Sequence, residues 1–319
     1  MKVFRAYKTE LDPNDKQRTA LLQHAGAARV AYNWGLRRKI NAYQATGKSP
    51  TAIDLHRELN RLKDLPKEEG GFPWMRESSK CAPQEALRNL DKAFTAFFRR
   101  CKEGAAYKGF PRFKSRKRGI GGFRLTGVIR ASATHVQLPR LGCLKLKERG
   151  YLPEADRSDI RVLSAAVTEQ AGRWFLSLQV EQQVEDPKPP VEHVVGVDVG
   201  IQHLATTSDG QVFENPRALR GAERRVRLCQ KAVSRKVKGS RSRQKAVQRL
   251  QRQHYRVANL RKDAIHQATT AIAKSASVVG IEDLNVRGML GNRCLAKALS
   301  DASLAEVLRQ LAYKVAGRG

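Results

Sequence analysis

The chain has 319 residues, with 61 Lys and Arg against 30 Asp and Glu for a formal net charge of +31, and 41% of its residues are apolar. At about 150 residues per domain, this length predicts two or three domains with cores of their own and excludes a uniformly disordered chain. No stretch approaches the ~18 apolar residues of a membrane span, the Met1–Arg5 start has no apolar secretory core, and five cysteines without a CxxC pair exclude a disulfide scaffold or a cysteine zinc site within this chain.

In chain order, Lys2 to Lys8 reads as one short strand. Asp12 followed by Pro13 predicts an N-cap residue and a first-turn proline opening a helix. Its apolar stripe, Leu21, Ala25, Ala28, Tyr32, Leu36 and Ile40, recurs in steps of three and four, and Gly47 and Pro50 end it. A second helix is expected around 51–63 and a loop at Pro66, Gly70, Gly71 and Pro73. A third helix starts near Pro83, carries Leu87, Leu90, Phe94 and Phe97 on one face, and stops near Gly104. From 122 to 182 the period falls to two. The clearest pair is Val162–Glu169 with Trp174–Gln182, joined across Gln170-Ala171-Gly172-Arg173, and it predicts a small barrel or sandwich. The Pro-rich stretch 185–192, EDPKPPVE, is the best domain boundary. Beyond it, His193–Asp198 reads as a buried-type strand. Leu204–Ser208, the turn Ser208-Asp209-Gly210 and Gln211–Glu214 read as a hairpin. A helical stretch from about 217 to 275, a strand Ser277–Ile281 and a helix over roughly 300–315 complete an α/β domain.

One carboxylate stands in each of two apolar strands, Asp198 in VVGVDVGI and Glu282 at the end of SVVGIE. A carboxylate in a buried strand is costly unless something pairs with it. Two such strands side by side would hold hard oxygen ligands for Mg2+ at one sheet edge, as in divalent-metal nucleases. From Arg220 to Lys262 there are sixteen Lys or Arg and one acid, Glu223. A merely solvated helix face mixes both signs, so this block, with Arg235, Lys236, Lys238, Arg241, Arg243 and Lys245 around a Gly239-Ser240 turn, reads as a polyphosphate track. In the loop from Tyr107 to Arg118, Phe110 and Phe113 interleave with Arg112, Lys114, Arg116, Lys117 and Arg118. The cations suit phosphates, and the rings are either base platforms or core plugs beneath a basic loop. Lys80 and Gln84, four apart, can point one way into a major groove or be ordinary exposed helix residues. The seven histidines form no ligand cluster, and no Ser-His-Asp grouping or Walker-type loop is present.

These residues reach a known family. The segments AGAARVAYNWGLRRK, APQEALRNLDKAFTAFFRR, YKGFPRFKSRK, GVDVGIQHLATTSDG, VVGIEDLNVRGM and LSDASLAEVLRQLAYK, in that order, resemble TnpB, the OrfB-type protein of bacterial insertion sequences and a compact relative of type V CRISPR effector nucleases. The resemblance implies a multidomain α+β fold. Residues 1–10 would be the first strand of a wedge-like β-barrel, 11–105 an inserted helical recognition domain and 106–184 the rest of the barrel. A linker over 185–192 would then lead to an RNase H-like RuvC domain over 193–319. It implies a guide RNA and a double-stranded target DNA with a short adjacent motif as partners, no membrane, and a cytoplasmic, nucleoid-associated protein. Asp198 and Glu282 match the first two catalytic carboxylates, and Lys80 and Gln84 fall on the helix that resembles the adjacent-motif reader. In that family a zinc ribbon and a third catalytic Asp follow, and residues 1–319 hold neither. The expectation is therefore a weak or partial Mg2+ site, no zinc in this chain, and RNA-guided DNA binding with impaired cleavage. The alternatives are an active RNA-guided endonuclease and a generic RNA-binding remnant.

Overall fold

The computed structural model describes residues 2–116, 119–153, 159–184 and 193–317, in two compact units, 1–184 and 185–319. The expected 185–192 linker lies outside the described residues.

In the first unit, strand β1 (Lys2–Leu11) runs three residues beyond expectation because it pairs antiparallel with β7 (Arg173–Gln183) along its whole length, from Lys2↔Gln183 to Leu11↔Trp174. The sheet order is β1-β7-β6-β2, with β2 at Gly122–Leu125 and β6 at Ile160–Gln170. The predicted hairpin is present. Its tip residues Ala171 and Gly172 both have positive φ, 56° and 80°, as a two-residue turn matching strand twist requires. Trp174, Leu176, Leu178 and Val180 are buried as the alternation demands; Phe175, on the other face, is buried too. A second antiparallel sheet holds β3 (Arg130–Ala131), β4 (His135–Leu138) and β5 (Gly142–Lys145).

Helix α1 (Asp15–Thr46) starts later than the Asp12-Pro13 signal suggested. The cap is Asn14. Its side chain accepts the Gln17 N–H at 2.9 Å, and the Gln17 side chain accepts the Asn14 N–H at 3.1 Å, forming a capping box. The Asp12 N–H instead donates to the Lys145 carbonyl at 2.8 Å, beside the second sheet. The stripe Leu21, Ala25, Ala28, Tyr32 and Leu36 is buried. Gly35 lets α1 approach α3 (Cys81–Lys102) closely, since a Cβ there would lie 2.6 Å from a Leu87 methyl. Between them α2 (Ala52–Leu62) is capped by Thr51 and buries Leu55 and Leu59.

The second unit holds one sheet in the order β10-β9-β8-β11. Strands β8 (Val194–Asp198), β9 (His203–Thr207) and β10 (Val212–Glu214) run antiparallel in sequence. The helices α4 (Ala218–Ser234) and α5 (Arg241–Ser275) then lead to β11 (Val278–Ile281), which pairs parallel with β8 from Val278↔Val194 to Ile281↔Val197. After the short α6 (Val286–Met289), the single helix expected near 300–315 is two, α7 (Ala296–Ala302) and α8 (Leu304–Ala316), broken at Ser303 with φ 56°. Val195, Val197, Leu204 and Ala205 of the sheet share a core with Ile265, Ala268 and Ile272 of α5 and Val307 and Leu311 of α8. No described helix is long and apolar enough to cross a membrane.

Candidate active site and nucleic-acid interface

Asp198 ends β8, and Glu282 follows β11 directly. Because Ile281 is in register with Val197 on neighbouring parallel strands, the two carboxylates leave the sheet side by side. Both line a depression of about 480 Å3 with Thr206, Thr207, Ser208 and Gly280. The expectation that they are embedded in buried strands is corrected, because both residues are exposed. With a period of two, Val195 and Val197 face the core, whereas Gly196 and Asp198 face out. No desolvation cost therefore needs offsetting here. The oxygens are hard donors open to water, which fits a divalent cation that keeps part of its hydration shell. Among the described residues, no third His, Cys, Asp or Glu joins them in a metal-holding group.

Lys80 and Gln84 come together. Lys80 is exposed at the N-cap of α3 and Gln84 is half-buried one turn on. They line a cleft of about 1130 Å3 with Asn60, Lys63, Arg76, Gln137 and Arg140. Sequence reasoning missed these five, which are separated by up to 80 positions and share no linear signal. The turn before Lys80 is held from the core. Buried His24 accepts the Ser79 N–H on Nε2 at 2.9 Å and places Nδ1 2.7 Å from the Ala20 carbonyl. An acceptor Nε2 leaves the proton on Nδ1, so the ring is neutral. Burial lowers its pKa from 6.5, with the Ala20 carbonyl opposing.

The loop residues divide. Phe110 packs edge-on against Phe94 and Phe97 at 5.6 and 5.2 Å yet stays 47% exposed. Phe113 lies under the Arg37 guanidinium at 5.1 Å. Lys114 is tied to α1: its N–H donates to the Asn33 side chain, and its carbonyl accepts from the same amide, both at 2.8 Å. Its ammonium folds over the Tyr32 ring at 4.0 Å, and the loss of water there lowers its pKa. Arg112 and Arg116 are exposed, and Lys117 and Arg118 lie outside the described residues.

The basic block forms α4, a turn at Gly239 (φ 89°) and α5, whose N-cap is Ser240. Arg235, Lys236, Lys238, Arg241 and Lys245 are exposed around the turn, and Arg243 is half-buried. Glu223 is shared between Arg227 of the tract and Lys297 outside it, at 3.2 and 2.7 Å, so it offsets at most one of the sixteen cations.

Asp301, on α7, is a polar anchor that sequence reasoning did not find. Its carboxylate accepts the Leu219 and Arg220 N–H groups of the first turn of α4 at 2.9–3.1 Å and pairs with Arg261 of α5 at 2.8 Å. Burial pushes its pKa up, but the Arg261 and backbone hydrogen bonds outweigh that and hold it below the ordinary carboxylate value. It fixes the base of the cationic hairpin.

Comparison with known proteins gives consistent matches. The family profile described as "Probable transposase" (OrfB, IS605) matches residues 177–293. A profile described as a helix-turn-helix domain matches residues 1–48, which here form β1 and the unbroken helix α1. A protein of Escherichia coli (strain K12) named "Putative RNA-guided DNA endonuclease InsQ" is 30% identical, over all of this chain and 79% of its own length. A Streptomyces pristinaespiralis protein named "Putative RNA-guided DNA endonuclease" is 34% identical over 99% of this chain and 76% of its own length. Among solved structures, a Cas12f1–sgRNA–target DNA complex aligns with a TM-score of 0.58 at 12% identity, covering all of this chain and 88% of that one. At that identity it shows likeness of fold.

Proposed function

Because the chain belongs to the OrfB (IS605) family of TnpB-like proteins, we propose that it is an RNA-guided DNA-binding protein encoded by a transposable element. The observation that carries this reading is the exposed cationic hairpin α4–α5, with sixteen Lys or Arg between 220 and 262 and one acid, itself already paired. Such a face is stable beside a polyanion and repels itself without one. The guide RNA would lie along this hairpin and the loop cations Arg112 and Arg116. Lys80 and Gln84 would read a short adjacent motif of the target duplex from their cleft, where exposed Arg140 would hold a phosphate.

The sheet order β10-β9-β8-β11, an antiparallel meander with a parallel return strand, supports reading the second unit as an RNase H-like RuvC domain. The two sheets of the first unit support the wedge-like reading, with α1 to α3 as the recognition helices. Asp198 and Glu282 would hold Mg2+, with water filling its other positions; bound there, it would polarise the phosphodiester. Two carboxylates fix a cation loosely, because Mg2+ prefers water to poorly placed ligands. A polypeptide of these 319 residues is therefore expected to bind guided targets without cutting them efficiently.

The test is a cleavage and binding assay with the co-purified RNA, matched duplex and Mg2+ or Mn2+. Guide-dependent binding without cutting is the expected outcome. Efficient guide-dependent cutting that Asp198→Ala abolishes would establish the active endonuclease instead, and absence of guide-dependent binding would leave only an RNA-binding protein.

A further inference from the structure

The end of α3 carries more aromatic surface than its core uses. Phe98 stacks on Phe94 with ring centres 6.2 Å apart and meets Phe97 edge-on at 5.2 Å. Phe110 closes the group from the following loop, against Phe94 and Phe97. Phe98 nevertheless keeps 59% of its surface exposed, and Tyr107 keeps 67%. The loop is held in place. Arg100 donates to the Lys108 carbonyl at 3.2 Å and Arg112 to the Tyr107 hydroxyl at 3.3 Å. Gly109 adopts φ 68° where a Cβ would meet Arg100 at 2.7 Å. Over residues 94–113 there are five cations, Arg99, Arg100, Lys102, Lys108 and Arg112, and one acid, Glu103.

We propose that Phe98, Tyr107 and Phe110 form a platform on which unpaired bases of the bound RNA stack, with the neighbouring cations holding the phosphates between them. This rests on the reading of the chain as an RNA carrier. Three considerations select the occupant. Phe98, stacked on Phe94 and edge-on to Phe97, and Phe110, edge-on to Phe94 and Phe97, are rings held in place while much of their surface stays open, as does that of Tyr107, and base faces are what stack on open rings. A duplex has no free base face to offer along its length. A second copy of this chain would set five cations against five across an apolar patch, at a Coulomb cost that a polyanion reverses. An apolar surface this open also calls for a ligand carried constantly, which favours the resident RNA over a DNA strand met in passing.

The experiment uses the full chain freed of RNA and three probes: a single-stranded oligouridylate, an oligothymidylate of equal length, and an RNA duplex. Phe98 is exposed, so Phe98→Ala should fold, and a thermal melt checks this. Phe98→Ala should weaken oligouridylate binding about 5- to 100-fold, leave duplex binding and the salt slope unchanged, and be rescued by Phe98→Trp but not by Phe98→Leu. Unchanged oligouridylate affinity, an equal loss on duplex, or rescue by Leu would overturn the platform. A loss confined to oligothymidylate would assign the surface to a DNA strand instead. A change only in self-association, read by sedimentation, would assign it to a second copy. If the wild-type chain binds neither oligouridylate nor the RNA duplex, the RNA-carrier reading itself fails; wild-type binding with an unaffected Phe98→Ala overturns the platform alone.

Discussion

His24→Phe separates a buried hydrogen bond from a titration. In the wild type, the neutral imidazole accepts the Ser79 N–H on Nε2 while the ring lies beside Phe123 at 5.2 Å. Phenylalanine keeps the ring and much of its volume, so the main loss is the acceptor. A buried N–H left without one costs about 1–3 kcal/mol. Protonation of the wild-type ring imposes the same loss, since Nε2 then becomes a donor facing a donor. The folded pKa of His24 lies below the ordinary 6.5 because of its burial, so the unfolded chain takes up a proton first as pH falls. Stability from this group is fully present above pH 6.5 and is lost as pH falls from there through the folded pKa, at about 1.4 kcal/mol per pH unit. His56 and His266 are lowered too, chiefly by burial, but they are common to both proteins and cancel in the difference. All three tryptophans, Trp34, Trp74 and Trp174, lie in the first unit, so urea unfolding followed by tryptophan fluorescence reports on the unit that contains His24. Measured between about pH 5 and 8, the wild type should exceed the variant by 1–3 kcal/mol at the high end, with the gap closing below pH 6.5. Parallel curves, with a constant gap down to the acid limit, would refute both the tautomer and the role given to Nε2.

Other perturbations test the remaining sites. Lys80→Ala and Gln84→Ala should each cost about 1–3 kcal/mol for a duplex bearing the correct adjacent motif and leave RNA affinity unchanged. Equal losses with and without the motif would make them phosphate contacts or scaffold. Changing Arg241, Arg243 and Lys245 together to Gln should lower the slope of log affinity against log salt by about 2–3; an unchanged slope would remove this end of α5 from the RNA interface. Asp301→Ala strands Arg261 and the first N–H groups of α4, and should destabilise the second unit by about 3–5 kcal/mol. Hydrogen exchange at Leu219 and Arg220 should rise first, and protection like that of the wild type would contradict the anchoring role.

Helix spacing and turn residues were readable wherever one local rule acted alone. The α1 stripe, the Ala171-Gly172 turn and the Gly239-Ser240 break are of this kind. Asp12-Pro13 misleads because two adjacent signals compete: Asn14 has Gln17 to complete its capping box, and the Asp12 backbone is drawn to the Lys145 carbonyl. The burial of Asp198 was misread because Gly196 counts as apolar in VVGVD and hides a period of two. The Lys114 ammonium could not be placed from its basic neighbours, since the ring that covers it is Tyr32, far away in sequence. Asp301 was unreadable for the same reason: its partners, Leu219, Arg220 and Arg261, are 40 to 82 positions away. The neighbouring placement of the strands that carry Asp198 and Glu282 follows from two apolar runs joined through a hairpin and a long helical crossover.

In the α4–α5 hairpin, the residues that close the seam and the residues that carry charge are different sets. Val226, Ala246 and Val257 are buried, while fourteen of the sixteen cations are exposed. Of their charged groups, only the Arg261 guanidinium enters the anchoring contact with Asp301; Arg220 joins it through its backbone N–H. Selection can therefore add or remove positive charge one residue at a time along α4 and α5 without passing through misfolded intermediates. On the proposed reading, the grip on RNA would then be a graded trait, adjustable as the RNA itself drifts, whereas the seam and its Asp301 anchor would stay under a separate and stricter constraint.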